Sequence, residues 1–328
     1  MYIKLLSLAM LFLSSISYAQ EPLDLELKNF EYPYPVKYFD LEIQDEKLRM
    51  AFMQIEPSKP NGQTITLFHG KNFCGAYFKQ VIQDLVDQGF KVIVPDQIGF
   101  GKSSKPKRVQ YSFHMLAENT KNLLNSIGVK QTHVLGHSMG GMLAVRFALM
   151  YKEDVSKLIL VNPIGLEDYK RKVMYQKIEK LYQEELKKTE EGIRSYQKEN
   201  YYHGEWKPEY EPWVQLLYRW SLNPEYPRLA WNAALTSEMV YTQPVVYEFG
   251  DLKAQTLLII GQLDRTAIGK NLTPPDVRKT LGNYPELGRA TQGAIPNAKL
   301  VELSQVGHVP HIEAYEKFWI ALQEFLTN

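Results

Sequence analysis

Residues 134–141 read Val-Leu-Gly-His-Ser-Met-Gly-Gly, and they constrain this chain more than any other stretch. An apolar strand-like run, Thr132 to Leu135, passes directly into Gly136-His137-Ser138-Met139-Gly140, and a helix-like segment from Gly141 to Tyr151 follows at once. This order puts Ser138 on a sharp strand-to-helix turn. Gly136 and Gly140 leave room for neighbouring backbone that a Cβ would strike, so the Ser138 hydroxyl can stand clear. The first amides of the next helix, that of Met139 included, then point at whatever Ser138 attacks.

Strand-like and helix-like segments alternate on both sides of this octet. Val36–Gln44 and Lys47–Ile55 read as strands joined by a tight turn at Asp45-Glu46. Strands are expected at Gln63–His69, Lys91–Asp96, Thr132–His137 and Val155–Val161, with helices at Tyr77–Gln88 and Ser112–Ile127 between them. Short, continuously apolar strands alternating with amphipathic helices imply an α/β fold: a mostly parallel sheet covered on both faces. The alternation stops near Pro163 and resumes with strands at Gln255–Ile260 and Ala298–Leu303 and a closing helix at Glu313–Leu326.

The interruption, residues 164–254, is helical and aromatic, with eleven of the 21 tyrosines and four of the five tryptophans. Tyr169 to Asn200 reads as one or two charged amphipathic helices with Val173, Ile178, Leu181 and Leu186 on one side. Because the block follows a sheet strand, it is expected over the strands' C-terminal edge, where open α/β sheets place their sites. We therefore expect a core of residues 20–163 and 255–328 carrying a mobile helical cap, 164–254.

Composition narrows the partners. Lys and Arg total 38 against 37 Asp and Glu, which leaves no charge excess for nucleic acid or an anionic membrane. The first residues resemble a secretory leader: Met1-Tyr2-Ile3-Lys4, an apolar run from Leu5 to Ile16, and Ser17-Tyr18-Ala19 as a small-x-small cleavage pattern. The apolar run is shorter than the roughly 20 residues a spanning helix needs. Residues 1–19 are thus expected to be a signal peptide, and the protein to be exported in soluble form, periplasmic or secreted. Cys74 is the single cysteine, so no internal disulfide can form, and Gln20, not a lipid-bearing cysteine, follows the cleavage pattern.

A serine hydroxyl needs a base, and the base needs an orienting group. Asp264 lies just past the apolar run Leu257–Ile260, and His308 follows Val301-Glu302-Leu303 through a loop containing Gly307. Both sit where strands end. The order Ser138, Asp264, His308, together with Phe68-His69-Gly70, the run Pro95 to Ser103, Gly261-Gln262-Leu263-Asp264 and Gly307-His308, resembles the α/β-hydrolase fold superfamily in its capped branch. The resemblance spans nearly all of the chain after the leader. It implies a nucleophile elbow at Ser138, a Ser138–His308–Asp264 triad, and an oxyanion hole from the amides of Lys71 and Met139. The stretch Lys71-Asn72-Phe73-Cys74 departs from the commoner proline-containing versions. A serine at 138 sets the chain apart from epoxide hydrolases and haloalkane dehalogenases of the superfamily, which place an aspartate there.

Other histidines compete for the role of base. His311 opens the closing helix and reads as packing; His69 reads as a hydrogen-bonding support of the oxyanion loop. His137, with Phe73, Trp213 and Trp220, is expected to line the substrate pocket. His133 and His137 are four apart on a strand, which separates them by about 13 Å, too far to share a metal. Gly101-Lys102-Ser103 lacks the first glycine of a phosphate-binding loop, since Asp96 stands there. Neither a metal nor a cofactor is expected.

The leading expectation is a serine hydrolase of esters, or related acyl compounds, of small to medium hydrophobic substrates, with the aromatic cap setting preference. Carbon–carbon bond or amide hydrolysis by the same triad is the second reading, and a slow or non-catalytic ligand-binding protein the third. None of these fixes the oligomeric state. If the leader is cleaved as read, intact-mass analysis of exported protein will give a chain starting at Gln20; a soluble cytoplasmic chain that retains Met1 would refute it.

Overall fold

The computed structural model describes residues 21–327, so the expected leader, 1–19, lies outside the described residues. Eight strands form one sheet: β1 (Val36–Ile43), β2 (Glu46–Ile55), β3 (Thr64–Phe68), β4 (Lys91–Pro95), β5 (Thr132–His137), β6 (Val155–Val161), β7 (Gln255–Gly261) and β8 (Ala298–Leu303). Their order across the sheet is β1-β2-β4-β3-β5-β6-β7-β8. The β1–β2 and β2–β4 pairs are antiparallel and all others parallel. The β1–β2 turn falls at Gln44 and Asp45, one residue earlier than expected, with φ of 48° and 66°. Two left-handed residues make the tight hairpin turn whose twist matches that of its strands.

Helices α1 (Lys79–Asp87), α2 (Phe113–Ser126) and α3 (Met139–Met150) fill the first crossovers. The Ser112 hydroxyl caps α2 by accepting from the Met115 amide at 3.0 Å. After β7 come the short α8 (Pro275–Arg278), α9 (Tyr284–Ala294), the short α10 (Pro310–Glu313) and α11 (Tyr315–Thr327). Every residue of β5 is buried, and so are the first ten of α3, as a central strand and its crossover helix covered on both faces require. No helix among the described residues is long and apolar enough to cross a membrane.

Between β6 and β7 the chain forms α4 (Ile178–Leu186), α5 (Glu190–Asn200), α6 (Glu211–Ser221) and α7 (Tyr226–Thr242) and adds no strand to the sheet. The stretch expected as one or two helices from Tyr169 starts regular helix only at Ile178. Val173 lies outside any helix, buried with Met239 and Tyr169 in the core cluster. Thr189 separates α4 from α5, its hydroxyl accepting from the Gly192 amide at 3.1 Å.

Residues 21–34 form a strap that ties these helices to the sheet. The Leu23 amide donates to Arg219 O at 3.0 Å, the Trp220 indole to Asp24 O at 2.9 Å, and the Asn223 amide group to Leu23 O at 2.9 Å. On the core side, Lys102 Nζ donates to Leu27 O at 2.6 Å. The Tyr32 hydroxyl donates to Asp96 Oδ2 at 2.6 Å, and Asp96 also accepts from the amides of Gly75 and Lys102, each at 2.7 Å. The run from Pro95 to Ser103 is thus a backbone wrap around one buried carboxylate. Leu23, Leu25 and Leu27 are buried with Leu216, Trp220, Tyr226 and Leu229. Trp220, expected to face the substrate, instead anchors the strap. Trp220→Ala should therefore cost about 3–5 kcal/mol of stability and expose residues 21–30 to proteolysis. Unchanged denaturant midpoints and an uncut strap would contradict this placement.

Candidate active site

Ser138 sits between β5 and α3 with φ 56° and ψ −122°, a conformation rare for a residue with a side chain. Contacts on all sides hold it there. The Ser138 amide donates to Val161 O at 3.2 Å, and its carbonyl accepts from Gly141 at 2.9 Å and Ile164 at 3.2 Å. A Cβ on Gly136 would lie 2.2 Å from Gly140 O, and one on Gly140 would lie 2.2 Å from Phe68 O. Glycine at both positions is therefore a steric requirement of the turn.

The Ser138 hydroxyl lies 3.0 Å from His308 Nε2, and His308 Nδ1 lies 2.7 Å from Asp264 Oδ2. All three side chains are buried. Asp264 accepts twice more, from Asn162 Nδ2 at 2.8 Å on Oδ2 and from the Thr266 amide at 2.7 Å on Oδ1. A carboxylate that only accepts assigns the proton to His308 Nδ1 and leaves Nε2 free to accept from the serine. Asn162, at the end of β6, also accepts from the Gly261 amide at 3.0 Å, so it fixes both the acid and its strand end. Its position directly after an apolar strand was the only signal of it in the sequence.

The loop after β3 lies against the serine: a Cβ on Gly70 would be 3.1 Å from Ser138 Cβ. Two histidines hold this loop. His69 Nε2 accepts from the Gln97 amide at 3.0 Å, so Nδ1 carries the proton and donates to Gly70 O at 2.9 Å. The Tyr77 hydroxyl accepts from the Gly70 amide and donates to His137 Nδ1, both at 2.9 Å. His137 then donates from Nε2 to His308 O at 2.8 Å. His137, expected to line the pocket, is wholly buried and serves as a strut between the β3 loop and the His308 loop. Met139 occupies the first position of α3, where an amide has no acceptor within its helix. Lys71 follows Gly70, and its ammonium reaches Glu185 on α4 at 3.6 Å.

Aromatic groups converge beside the serine. Phe73 stacks on Tyr77 (4.6 Å between centroids, 17°) and meets Trp213 edge-on at 5.8 Å. Tyr201, between α5 and α6, stacks on His308 at 4.8 Å, and its carbonyl accepts from the His308 amide at 2.8 Å. A Cβ on Gly307 would come within 2.1 Å of that carbonyl, so the inserted helices press directly on the histidine loop. Its hydroxyl accepts from Asn72 Nδ2 at 2.7 Å. Sequence reasoning missed Tyr201, Tyr77 and Asn72 because hydrogen bonds between distant segments leave no local pattern.

Residues 63–315 match the alpha/beta hydrolase fold family. The chain belongs to that family. A solved structure described as a "probable hydrolytic enzyme" from Pseudomonas aeruginosa PAO1 is 48% identical, with a TM-score of 0.92 over 93% of this chain and 99% of that one. Lipase 1 of Psychrobacter immobilis is 26% identical over 288 residues, 85% of this chain and 82% of the lipase. A 2-hydroxy-6-oxo-6-phenylhexa-2,4-dienoate hydrolase of Comamonas testosteroni is 34% identical over 110 residues, which span 32% of this chain and 38% of that protein.

The histidines around the site give the fold a pH dependence. Burial pushes His311 down to about 3, with the nearby His308 adding to the effect. Burial pushes His137 well down too, helped by His311 and His308, and it lowers His69. Such a histidine takes up a proton on unfolding near its ordinary pKa but refuses it while folded. Stability is thus fully present above about pH 6.5 and falls as the pH drops below it, for His311 until about pH 3 and by about 1.4 kcal/mol per pH unit. Urea unfolding at pH 7 and pH 5 will show the loss, and His311→Gln will flatten it; equal midpoints at the two pH values would contradict it.

Proposed function

We propose that this α/β hydrolase is a serine hydrolase that cleaves an ester, or a related acyl bond, through an acyl-enzyme. The observation that carries the reading is the unbroken hydrogen-bonded line from the Ser138 hydroxyl through the His308 ring to Asp264. His308 Nε2 takes the hydroxyl proton as Ser138 attacks the carbonyl carbon. Asp264 holds the imidazole in the required tautomer and stabilises its charged form. The amides of Met139 and Lys71 receive the developing oxyanion. His308 then protonates the leaving group, and water, deprotonated by the same nitrogen, cleaves the acyl-enzyme.

Phe73, Trp213 and Tyr201 supply an apolar wall beside the serine, which supports a substrate with a hydrophobic portion. The similarity to a lipase over most of the chain supports ester chemistry. Carbon–carbon bond hydrolysis has the support of a shorter match only. A binding protein without turnover would have no need of the buried Asp264 that fixes the histidine tautomer.

A panel of 4-nitrophenyl esters of rising chain length tests the proposal. Ser138→Ala should lower kcat by roughly 10⁴-fold or more while the protein stays folded. Ester hydrolysis that survives the substitution would sink the mechanism.

A further inference from the structure

Beneath the inserted helices lies an ionic group that the reaction does not use. Glu185 of α4 contacts two ammoniums, that of Lys71 at 3.6 Å and that of Lys188. Lys71 belongs to the loop that lies against Ser138, while Lys188 follows the end of α4. One carboxylate facing two ammoniums leaves an excess positive charge.

The group is partly accessible to solvent. The side chains of Lys71, Glu185 and Lys188 keep 17%, 14% and 29% of their surface accessible. Burial pulls the Lys71 ammonium down, partly offset by Glu185. Burial alone would raise the Glu185 carboxyl, but Lys188 and Lys71 hold it down at about 2. Burial would lower the Lys188 ammonium as well, but Glu185 holds it up. Tyr196 of α5 connects the group with the triad. It keeps 44% of its surface accessible, yet burial raises its hydroxyl, and the charges of Asp264, Lys188 and Glu185 all act on it. Its ring lies 5.4 Å from that of Tyr201, which in turn stacks on His308 at 4.8 Å.

A single ion pair would suffice to tie α4 to the loop after β3. Two ammoniums sharing one carboxylate leave a positive charge whose desolvation cost is offset when a further anion is bound. We infer that Lys71 and Lys188 form an anion subsite next to Ser138, and that the substrate is an ester carrying a carboxylate apart from its scissile bond. The inference rests on the proposed hydrolase reading and narrows it. The hydrophobic part of the substrate lies along Phe73 and Trp213, and its carboxylate displaces Glu185 from one lysine or joins the group as a second anion.

The kinetic test compares 4-nitrophenyl hydrogen adipate with 4-nitrophenyl hexanoate, acyl groups of equal length that differ by a carboxylate. Lys188→Met should lower the ratio of their kcat/KM values, adipate over hexanoate, by about tenfold. Glu185→Gln, which removes the competing anion, should raise that ratio. A purely structural group would give falls in both variants for both esters alike. Binding is read separately on Ser138→Ala protein, which needs no turnover. Sodium hexanoate should raise its melting temperature above that in hexanamide at matched ionic strength, and Lys188→Met should abolish the difference. If no ester is cleaved but hexanoate still protects, the hydrolase reading fails and the subsite stands. Equal effects of hexanoate and hexanamide, or ratios moving in the same direction in the two variants, would overturn the subsite.

Discussion

The left-handed turn at Ser138 is the constraint on which the site depends. A serine at φ 56° is costly, by about 1–3 kcal/mol, and persists only where the surroundings leave no alternative. Here the surroundings are the wholly buried β5, the end of β6 at Val161 and the close approach of α3 to the end of β3. Gly140 against Phe68 O and Gly136 against Gly140 O set that approach. Relaxing the turn would withdraw the hydroxyl from His308 and the Met139 amide from the space above it. The fold and the reactive geometry are therefore one packing problem.

The inserted helices also help to hold the His308 loop. Tyr201 accepts from the His308 amide, stacks on its ring and receives Asn72 from the opposite loop. The Tyr77–His137 strut joins the same two loops from below. His308 is thus positioned from three directions: by Asp264, by the inserted helices and by the buried strut. The strap of residues 21–34 extends this arrangement outwards by holding α6 and α7 on the core.

How much of this was legible follows from what each feature leaves in the chain. The sheet strands were readable because buried parallel strands must be continuously apolar, and their ends fell within one or two residues of the structure. Ser138, Asp264 and His308, named from motif and strand-end position, meet through hydrogen bonds. The glycine frame restricts position 138, and the strand ends restrict the other two. The inserted block was legible as helical but not in detail. Its helices pack with half-buried faces, and α4 has no fully buried residue, so periodicity could not separate Val173 from a helix. Trp213 and Trp220 look alike in sequence, yet one meets Phe73 and the other bonds to Asp24; only tertiary contacts distinguish them. His137 was misplaced for the same reason, since burial by the Tyr77 hydroxyl and the His308 carbonyl comes from segments distant in the chain.

The central claim is that this frame makes one serine nucleophilic. Mass spectrometry of the native protein after treatment with a fluorophosphonate tests it most directly, because the reagent phosphonylates a serine activated by its base, with loss of fluoride. The account predicts a single adduct, mapped to Ser138, and no adduct after His308→Ala. Labelling of a different serine, or a folded protein that stays unlabelled, would contradict it.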